Sequence, residues 1–390
     1  MAVLGAAQEL REAARALAPD LRAAADEIDR ERRLPRGLMD RMVDDGLVRM
    51  LLPRDLGGWQ LDPLTAVELV EAVAAANGSA GWVLMVTATY GHWAGAGLPK
   101  RVGEQVFGAD PRAVMAGSTV PIGRAERVDG GYRLSGRFPF ASGSVHATWI
   151  ASSCFLYEHG QAVTDATGQA VWAAFVTPVS DITLLDTWHS LGLRGTSSHD
   201  YTMADVFVAD GWQFNHQLNK PRLPDPEYAS VSDSVSLMPA VSLGIARAAL
   251  DAMTALAAEK RIQPGNTLLR DDPYVQAELG RAASLLGAAR AYLHQALAEH
   301  WSAVQAGATP TRQLRSALRL ATAYAVTAAQ QVVDAMHALA GSSAVYTSNP
   351  IERYFRDVHT AATHVAMRAP QAYVTGGQLL LDLEPRRGYF

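Results

Sequence analysis

The hydrophobic pattern of this chain changes twice, near Ala113 and near Val235. Before Ala113 the apolar residues recur at helical steps of seven and four, and after Val235 helical spacing returns in long alanine-rich segments. Between these two points, short apolar runs are separated by glycine and proline, which is typical of strands. The order helix, strand, helix predicts a mostly helical α+β fold with a small β domain in the middle.

Several segments can be placed within this pattern. Asp62 before Pro63 predicts a helix start, and we expect that helix to end at Asn77, with Ser79 capping the next one. Residues 128–132 have the composition of a hairpin turn. Strand-like runs follow at residues 148–156, 171–177 and 201–208. Helices of an antiparallel bundle are expected at residues 273–306, at 311–340 and from 350 onward.

These segments divide the chain into three predicted domains. The N-terminal α-helical domain covers residues 1–112, the middle β domain covers 113–218, and the C-terminal helical bundle covers 227–390. Residues 219–226, which contain three prolines, are the expected boundary between the last two domains.

Composition limits the classes of protein to which the chain can belong. With 390 residues, 49% hydrophobic and 19% charged, it is expected to be globular. The net charge of -5 gives no reason to expect a nucleic acid or an anionic membrane as a partner. Cys154 is the one cysteine, which excludes an internal disulfide and thiolate clusters. The sequence shows no signal peptide and no apolar run of membrane-spanning length, so a soluble cytoplasmic protein is expected.

Short motifs along the chain indicate which family of folds it resembles. They occupy the segments Gly136–Gly143, Trp188–Ser198, Gly244–Asp251, Gly341–Ser343 and Arg353–Val365. In this order and spacing they resemble the acyl-CoA dehydrogenase superfamily over nearly the whole chain. The resemblance implies a helical N-terminal domain, a middle β-barrel domain and a C-terminal four-helix bundle domain. The first motif, Gly-Arg-Phe-Pro-Phe-Ala-Ser-Gly, is more similar to the flavin-dependent (two-component, group D) monooxygenase branch than to the dehydrogenases.

The last motif lacks the catalytic base that most members of the superfamily use. The usual base is a glutamate, but Val365 stands at that position and His364 precedes it. A flavin site without this carboxylate implies flavin chemistry other than acyl-CoA dehydrogenation. In the monooxygenase branch a histidine here is implicated in oxygen chemistry, and imidazole can donate and accept protons near neutral pH.

The resemblance therefore implies the oxygenase component of a two-component flavin-dependent monooxygenase. Such an enzyme takes reduced FMN or FAD from a separate NAD(P)H:flavin reductase and forms a C4a-hydroperoxyflavin with O2. It then oxygenates an aromatic, amine or sulfur-containing small molecule. The sequence has no Gly-x-Gly-x-x-Gly motif after a strand, which agrees with a separate reductase. The family also implies a homotetramer with the flavin phosphates near a subunit interface.

The same resemblance assigns roles to residues. Ser142 is expected beside flavin N5, where a hydroxyl can donate or accept, and Gly143 lets the backbone approach closely. The predicted catalytic residues are His364, Ser142 and His92. The predicted cofactor-binding residues are Phe140, Ser142, Arg194, Thr196, Lys260, Arg261, Gly341 and Ser342. No metal site is expected, because His359 and His364 are five residues apart, which is poor ligand geometry on a helix.

Two other functions remain open at this point. The first is an acyl-CoA dehydrogenase or oxidase with Asp233 as a relocated base, although a helix N-cap is the preferred interpretation of Asp233. The second is a non-catalytic flavin-binding scaffold descended from an enzyme.

Single residues also have a structural interpretation. His364 could pack at a helix interface, and His92 could be a helix-end residue in an apolar contact. Asp357 is seven residues before His364, so the two are expected to share a helix face. We expect Asp357 to form a salt bridge with Arg353 or Arg356 rather than to orient a histidine.

Overall fold

The structure, a computed structural model, describes residues 2–215, 221–229 and 236–385. In the first range the helices are α1 (Ala2–Ala23), α2 (Ala25–Glu31), α3 (Arg36–Asp44), α4 (Pro63–Ala76), α5 (Gly78–Gly97) and α6 (Lys100–Gly103). As predicted, Asp62 caps α4, because its side chain accepts a hydrogen bond from the Thr65 amide at 2.9 Å. The cap of α5 is Asn77, whose side chain accepts from the Ala80 amide. The prediction that Ser79 has this role is wrong.

Helix α5 lies at the centre of the molecule, with nearly all of its residues buried. Its small residues allow neighbouring helices to approach closely: a Cβ added at Gly81 would lie 2.5 Å from the Ala74 side chain of α4. One end of α5 belongs to the large core formed by the helices, and the other end packs on the sheet through Tyr90 and Trp93. Residues on this helix are therefore close to every part of the fold.

The middle of the chain forms one eight-stranded sheet. Its strands are β1 (Met115–Val128), β2 (Gly131–Ala141), β3 (Trp149–Glu158), β4 (Gln161–Ala162), β5 (Trp172–Pro178), β6 (Thr183–Leu185), β7 (His199–Ala209) and β8 (Gln213–Phe214). The order is β6-β7-β2-β1-β3-β5-β8, and β4 pairs with β3. The predicted hairpin is confirmed, since Val128 pairs with Gly131 across a two-residue turn. The rings of Phe138 and Tyr201 stack 4.9 Å apart across β2 and β7 inside this domain.

The C-terminal part is a bundle of long helices. They are α7 (Leu237–Glu259), α8 (Pro273–Gln305), α9 (Arg312–Ala340), α10 (Pro350–Ala362) and α11 (Ala369–Leu380), with a small hairpin of β9 (Arg261–Ile262) and β10 (Thr267–Leu268) after α7. Within the described residues, α7 is the one helix long and apolar enough to cross a membrane, but 67% of its most apolar window is buried. It is a buried core helix of the bundle.

The observed order of helices, sheet and bundle confirms the predicted mostly helical α+β fold. The large core runs without interruption from α1 to the turn after α10, so the two helical parts share one interior. The domain limits at residues 1–112, 113–218 and 227–390 stay predictions.

Candidate active site

Ser142 follows the last residue of β2, at the point where the sheet meets α5. The next residue, Gly143, has a φ of +76°, a left-handed conformation that glycine adopts at little steric cost. Its amide donates a hydrogen bond to the carbonyl oxygen of Thr196 at 2.8 Å. A Cβ added at Gly143 would lie 3.5 Å from the side chains of Thr87 and Val83 on α5. The turn thus places Ser142, which is 6% exposed, against the central helix.

A chain of hydrogen bonds begins at the Ser142 hydroxyl. The Oγ atoms of Ser142 and Ser198 are 2.7 Å apart, and Ser198 Oγ is 2.7 Å from Thr196 Oγ1. Thr196 Oγ1 then donates to the carbonyl oxygen of Leu193 at 2.9 Å. All four residues are buried, so each hydroxyl needs the partner that the chain supplies.

His364 approaches the same place from the C-terminal part. Helix α10 ends at Ala362, and His364 caps the short 3-10 turn that follows, with its Nδ1 accepting a hydrogen bond from the Ala366 amide at 3.2 Å. In the neutral ring this bond leaves the proton on Nε2, for which the described residues provide no partner. Burial lowers the pKa of His364, so the neutral imidazole prevails at pH 7. The expectation that His364 shares a helix face with Asp357 is wrong, because the helix ends before His364.

Trp82, on the first turns of α5, connects these two groups. Its indole Nε1 donates to Ser142 Oγ at 3.1 Å, and its ring meets the His364 ring edge to face with centroids 5.8 Å apart. Trp82 is not among the site residues predicted from the sequence. One signal could have identified Trp82: it is a large residue on a helix rich in small ones. A large side chain at such a position must project into a neighbouring element.

Asp357, on α10, holds the loop that carries the hydroxyl chain. Its Oδ1 accepts a hydrogen bond from the Leu193 amide at 2.6 Å. Burial raises the pKa of Asp357 to about 6, although the Leu193 bond and the nearby arginines lower it. The predicted salt bridge is wrong: Arg353 pairs with Asp26, and Arg356 pairs with Asp29 and Glu352.

The backbones of the loop and of α10 also touch directly. A Cβ added at Gly192 would lie 2.2 Å from the Arg356 carbonyl oxygen, so only glycine fits there. Leu193 and Ser197 both have a φ of +48°, and Phe140 has a φ of +60°. Non-glycine residues in this region are strained and cluster at functional sites, so their concentration around Ser142 marks this place as a candidate site.

The residues around Ser142 and His364 fit a flavin ring. Phe140 is 64% exposed, with its ring edge on to Trp188 at 6.5 Å. Leu191, in the same loop as Trp188, and Val365, beside His364, are also exposed apolar residues. Exposed apolar side chains next to two polar groups, the Ser142 hydroxyl and His364 Nε2, suit a flat ring with polar atoms on one edge.

Two family models match the chain over more than half of its length. They are the acyl-CoA dehydrogenase N-terminal domain, over residues 6–96, and the acyl-CoA dehydrogenase C-terminal domain, over residues 236–369. Indole-3-acetate monooxygenase of Pseudomonas putida is 31% identical over 370 residues, covering 94% of this chain and 92% of that protein. The chain belongs to the acyl-CoA dehydrogenase-like flavin-dependent monooxygenases.

Further relatives define the branch of this monooxygenase family. The flavin-dependent monooxygenase oxygenase subunit HsaA of Rhodococcus jostii is 29% identical over 372 residues, covering 93% of this chain and 95% of that protein. The structure of XiaF from Streptomyces sp. in complex with FADH2 and glycerol superposes with a TM-score of 0.90 at 25% identity, covering 98% of this chain and 97% of that one. The predicted class is confirmed: the protein is the oxygenase component of a two-component flavin-dependent monooxygenase, which implies a flavin reductase as partner.

In this oxygenase the other predicted cofactor-binding residues fall into two groups. Thr196 belongs to the hydroxyl chain, whereas the Arg194 guanidinium donates to the carbonyl oxygens of Asp29 and Ser190 and so faces α2. The second group is far from Ser142, where α7 and α9 end. There Lys260 Nζ donates to the Ala340 carbonyl oxygen at 2.7 Å, close to Gly341, while Arg261 and Ser342 are exposed. Lys260 and Gly341 thus lie close together, and the cofactor-binding roles of Lys260, Arg261, Gly341 and Ser342 stay predictions.

Two other histidines singled out from the sequence, His92 and His359, have their contacts elsewhere in the fold. His92 is buried and its ring lies 5.1 Å from that of Tyr228; it is ten residues, or about 15 Å of helix rise, beyond Trp82. His359 faces α9, where its Nε2 lies 2.8 Å from Asp334 Oδ1. Asp233 lies outside the described residues. In the part of the chain that the structure describes, no three His, Cys, Asp or Glu side chains are grouped to hold a metal ion.

Proposed function

We propose that this oxygenase hydroxylates a small aromatic molecule, an indole or a phenol, at a site formed by Ser142, Trp82 and His364. The observation that carries the proposal is the position of Trp82, which hydrogen-bonds Ser142 and contacts His364, so that residues of all three parts of the fold meet. Relatives named indole-3-acetate monooxygenase and resorcinol hydroxylase support the aromatic class of substrate.

Reduced FMN or FAD, when bound there, supplies the electrons that activate O2 for transfer of one oxygen atom. Ser142 and Phe140 would hold the ring: Phe140 offers an exposed aromatic face, and Ser142 offers a polar contact to N5. Because Ser142 and Trp82 are buried, this edge of the site excludes water, which suppresses loss of the activated oxygen to solvent.

His364 contributes a hydrogen-bond donor rather than a strong acid. Its Nδ1 is occupied by the Ala366 amide, so the proton sits on Nε2, and the lowered pKa keeps the ring neutral. A neutral Nε2–H can stabilise a partly negative oxygen as the substrate is oxygenated, and general acid or hydrogen-bond catalysis of this kind is worth about 10²- to 10⁴-fold in rate. His92 stays a predicted catalytic residue of lower rank, since it lies further along α5.

Lys260, Arg261, Gly341 and Ser342 form what we call the phosphate end, and we propose that it serves the flavin of a second copy of the chain. Ile245 of α7 packs on Gly78 at the start of α5, and Lys260 is 15 residues further along, about 22 Å of helix rise. A ring at Ser142 and phosphates at Lys260 of the same chain are therefore widely separated. This supports an assembly of at least two copies, and we propose the homotetramer that the family resemblance implies. Light scattering after gel filtration tests it, and a monomer would contradict both statements.

The soluble enzyme is proposed to act in the cytoplasm, where a flavin reductase would supply it with reduced flavin. Arg194 and Thr196 are proposed to act on the flavin through the loop that they stabilise, because their polar atoms already have protein partners.

The test supplies reduced flavin from an unrelated reductase with NADH, under isotopically labelled O2, to the purified protein and each of indole, indole-3-acetate and resorcinol. Mass spectrometry should find a product with one labelled oxygen atom for at least one of them. Reactions with the reductase alone are the control. Release of H2O2 without any oxygenated product across the aromatic panel would contradict the proposed substrate class.

A further inference from the structure

The hydroxyl chain that begins at Ser142 has a fixed direction. The Leu193 carbonyl oxygen carries no hydrogen, so at 2.9 Å the Thr196 hydroxyl must be the donor. A hydroxyl has one hydrogen and two lone pairs. The one hydrogen of the Thr196 hydroxyl is used in its bond to Leu193, so Thr196 accepts a hydrogen bond from the Ser198 hydroxyl. The Ser198 hydrogen is then used in turn, so Ser198 accepts a hydrogen bond from the Ser142 hydroxyl.

The contact on the other side of Ser142 has a fixed direction too. The indole N–H of Trp82 has no lone pair to offer, so at 3.1 Å it can only donate to Ser142 Oγ. Ser142 Oγ thus donates its hydrogen to Ser198 and accepts a hydrogen bond from Trp82 with one of its two lone pairs. One lone pair remains, which makes Ser142 a hydrogen-bond acceptor towards a ligand.

The far end of the chain is held rigidly, so this direction is not easily reversed. Leu193 is fixed in a left-handed conformation with a φ of +48°. Its amide donates to Asp357 Oδ1 at 2.6 Å, and its carbonyl oxygen accepts from Trp188 Nε1 at 3.0 Å as well as from Thr196. Reversal would set the lone pairs of Thr196 Oγ1 against those of the Leu193 carbonyl oxygen at 2.9 Å, and this repulsion disfavours the reversed direction although Trp188 Nε1 and the Thr196 amide still donate to that oxygen.

We propose that Thr196 and Ser198 are positioning residues that make Ser142 an acceptor, and that the site for this reason selects reduced over oxidised flavin. The two redox states differ at N5, which carries a hydrogen in the reduced ring and a lone pair in the oxidised ring. An acceptor at Ser142 forms a hydrogen bond with the N5–H of reduced flavin and repels the N5 lone pair of oxidised flavin. This inference rests on the proposed function, in which Ser142 faces N5.

The selection has a use in a two-component enzyme. The oxygenase and its reductase share one pool of flavin, and oxidised flavin left after each turnover competes for the same site. A binding site that rejects oxidised flavin frees itself for the next reduced molecule. Ser142, by its polarity alone, provides this discrimination without a change in the shape of the site.

The experiment measures the dissociation constants of oxidised and of reduced flavin, the latter without O2, for the full-length protein and its variants. Thr196→Val keeps the shape of Thr196 and removes the hydroxyl that fixes the direction. Ser198 can then donate to Ser142, whose own hydrogen becomes free for the ligand. We expect the ratio of the two constants to fall about tenfold, mainly because oxidised flavin binds more tightly.

Two controls separate polarity from structure. Thr196→Ser restores the hydroxyl and should restore the wild-type ratio. Ser144→Ala removes a neighbouring buried hydroxyl that bonds to the Ser197 carbonyl oxygen and is outside the chain, so its ratio should stay that of the wild type. Melting temperatures of all variants report folding independently of flavin.

Each outcome is decisive. An unchanged ratio in a folded Thr196→Val variant would overturn the inference while leaving the proposed function intact. Failure of the wild type to bind either redox state would overturn the proposed function itself. If Thr196→Val does not fold, Ser198→Ala removes the same acceptor from Ser142 and is expected to lower the ratio equally; an unchanged ratio there would also overturn the inference.

Discussion

The ring end of the proposed flavin site, formed by Ser142, Trp82, His364 and the loop at residues 188–198, differs in construction from the phosphate end. At the ring end the hydroxyls of Ser142, Ser198 and Thr196 are buried and paired within one chain, and the backbone is strained at Phe140. At the phosphate end Arg261, Gly341 and Ser342 are exposed, and the Lys260 ammonium donates to the Ala340 carbonyl oxygen at the end of α9.

The difference shows how the two ends contribute to function. A ring must be held to within a fraction of an ångström for oxygen transfer, which a rigid, internally satisfied site achieves. A phosphate needs charge and accessible donors, which can come from a second subunit and tolerate more movement. Changes at the ring end should therefore alter folding and turnover, whereas changes at the phosphate end should alter flavin affinity.

The largest effect is expected from glycines at the two ends. Gly192→Ala places a Cβ 2.2 Å from the Arg356 carbonyl oxygen, and the free energy of unfolding should fall by about 3 kcal/mol or more. Gly341→Ala meets no atom closer than 3.9 Å, so its loss should come only from the positive φ, about 1–3 kcal/mol. Urea denaturation measures both, and equal losses would show that the ring end is no more tightly packed.

His364→Asn tests turnover at the ring end. Asparagine can keep the N-cap bond to the Ala366 amide but removes Nε2–H, so the rate of product formation should fall about 10²-fold with an unchanged melting temperature. His359→Asn, at the α10 histidine whose Nε2 lies beside Asp334 of α9, is the matched control and should retain wild-type turnover. If the ratio of product to H2O2 falls in His364→Asn but not in His359→Asn, the result supports a role of His364 in protecting the activated oxygen.

Lys260→Gln tests affinity at the phosphate end. Loss of the positive charge should raise the dissociation constant for reduced FMN about tenfold and leave turnover at saturating flavin unchanged. The effect should shrink as salt is added, because the charge is near the surface. A fall in saturated turnover instead would mean that Lys260 also affects the ring.

The smallest expected effect concerns Asp357 and pH. Its pKa is raised to about 6, so the contribution of its protonated form to stability is complete below the unfolded value and is lost as the pH rises through 6. Between pH 7.5 and 5 this group should make the wild type about 1 kcal/mol more stable relative to Asp357→Asn. Unfolding titrations of both proteins at the two pH values measure the difference, and parallel curves would show that the carboxyl is not buried as described.

The sequence predicted the order of the elements well, because periodicity and caps are local properties. Asp62-Pro63 started a helix, and the turn at residues 128–132 closed a hairpin, as expected. Ser79 was misassigned because Asn77, two residues earlier, is an equally good cap, and only the geometry of the connection from α4 decides between them.

Only the site residues that lie within a recognisable sequence motif could be predicted. Ser142, Thr196 and His364 were singled out, but their connection through Trp82 and Ser198 depends on contacts between distant parts of the chain, which no spacing reveals. Asp357 was assigned to an arginine because both were close in sequence. Its true partner, the Leu193 amide, is 164 residues away.

The hydroxyl chain has one more consequence, for the way such enzymes diversify. Ser142, Thr196 and Ser198 all come from the β domain, whereas Trp82 and His364 come from the helical parts on either side. Recombination that exchanged whole β domains between relatives would move the three hydroxyls together as one unit. The helical parts could then be replaced independently wherever they keep Trp82 and Asp357, which hold the two ends of the chain, so that a lineage could acquire new substrates with the direction of the hydroxyl chain unchanged.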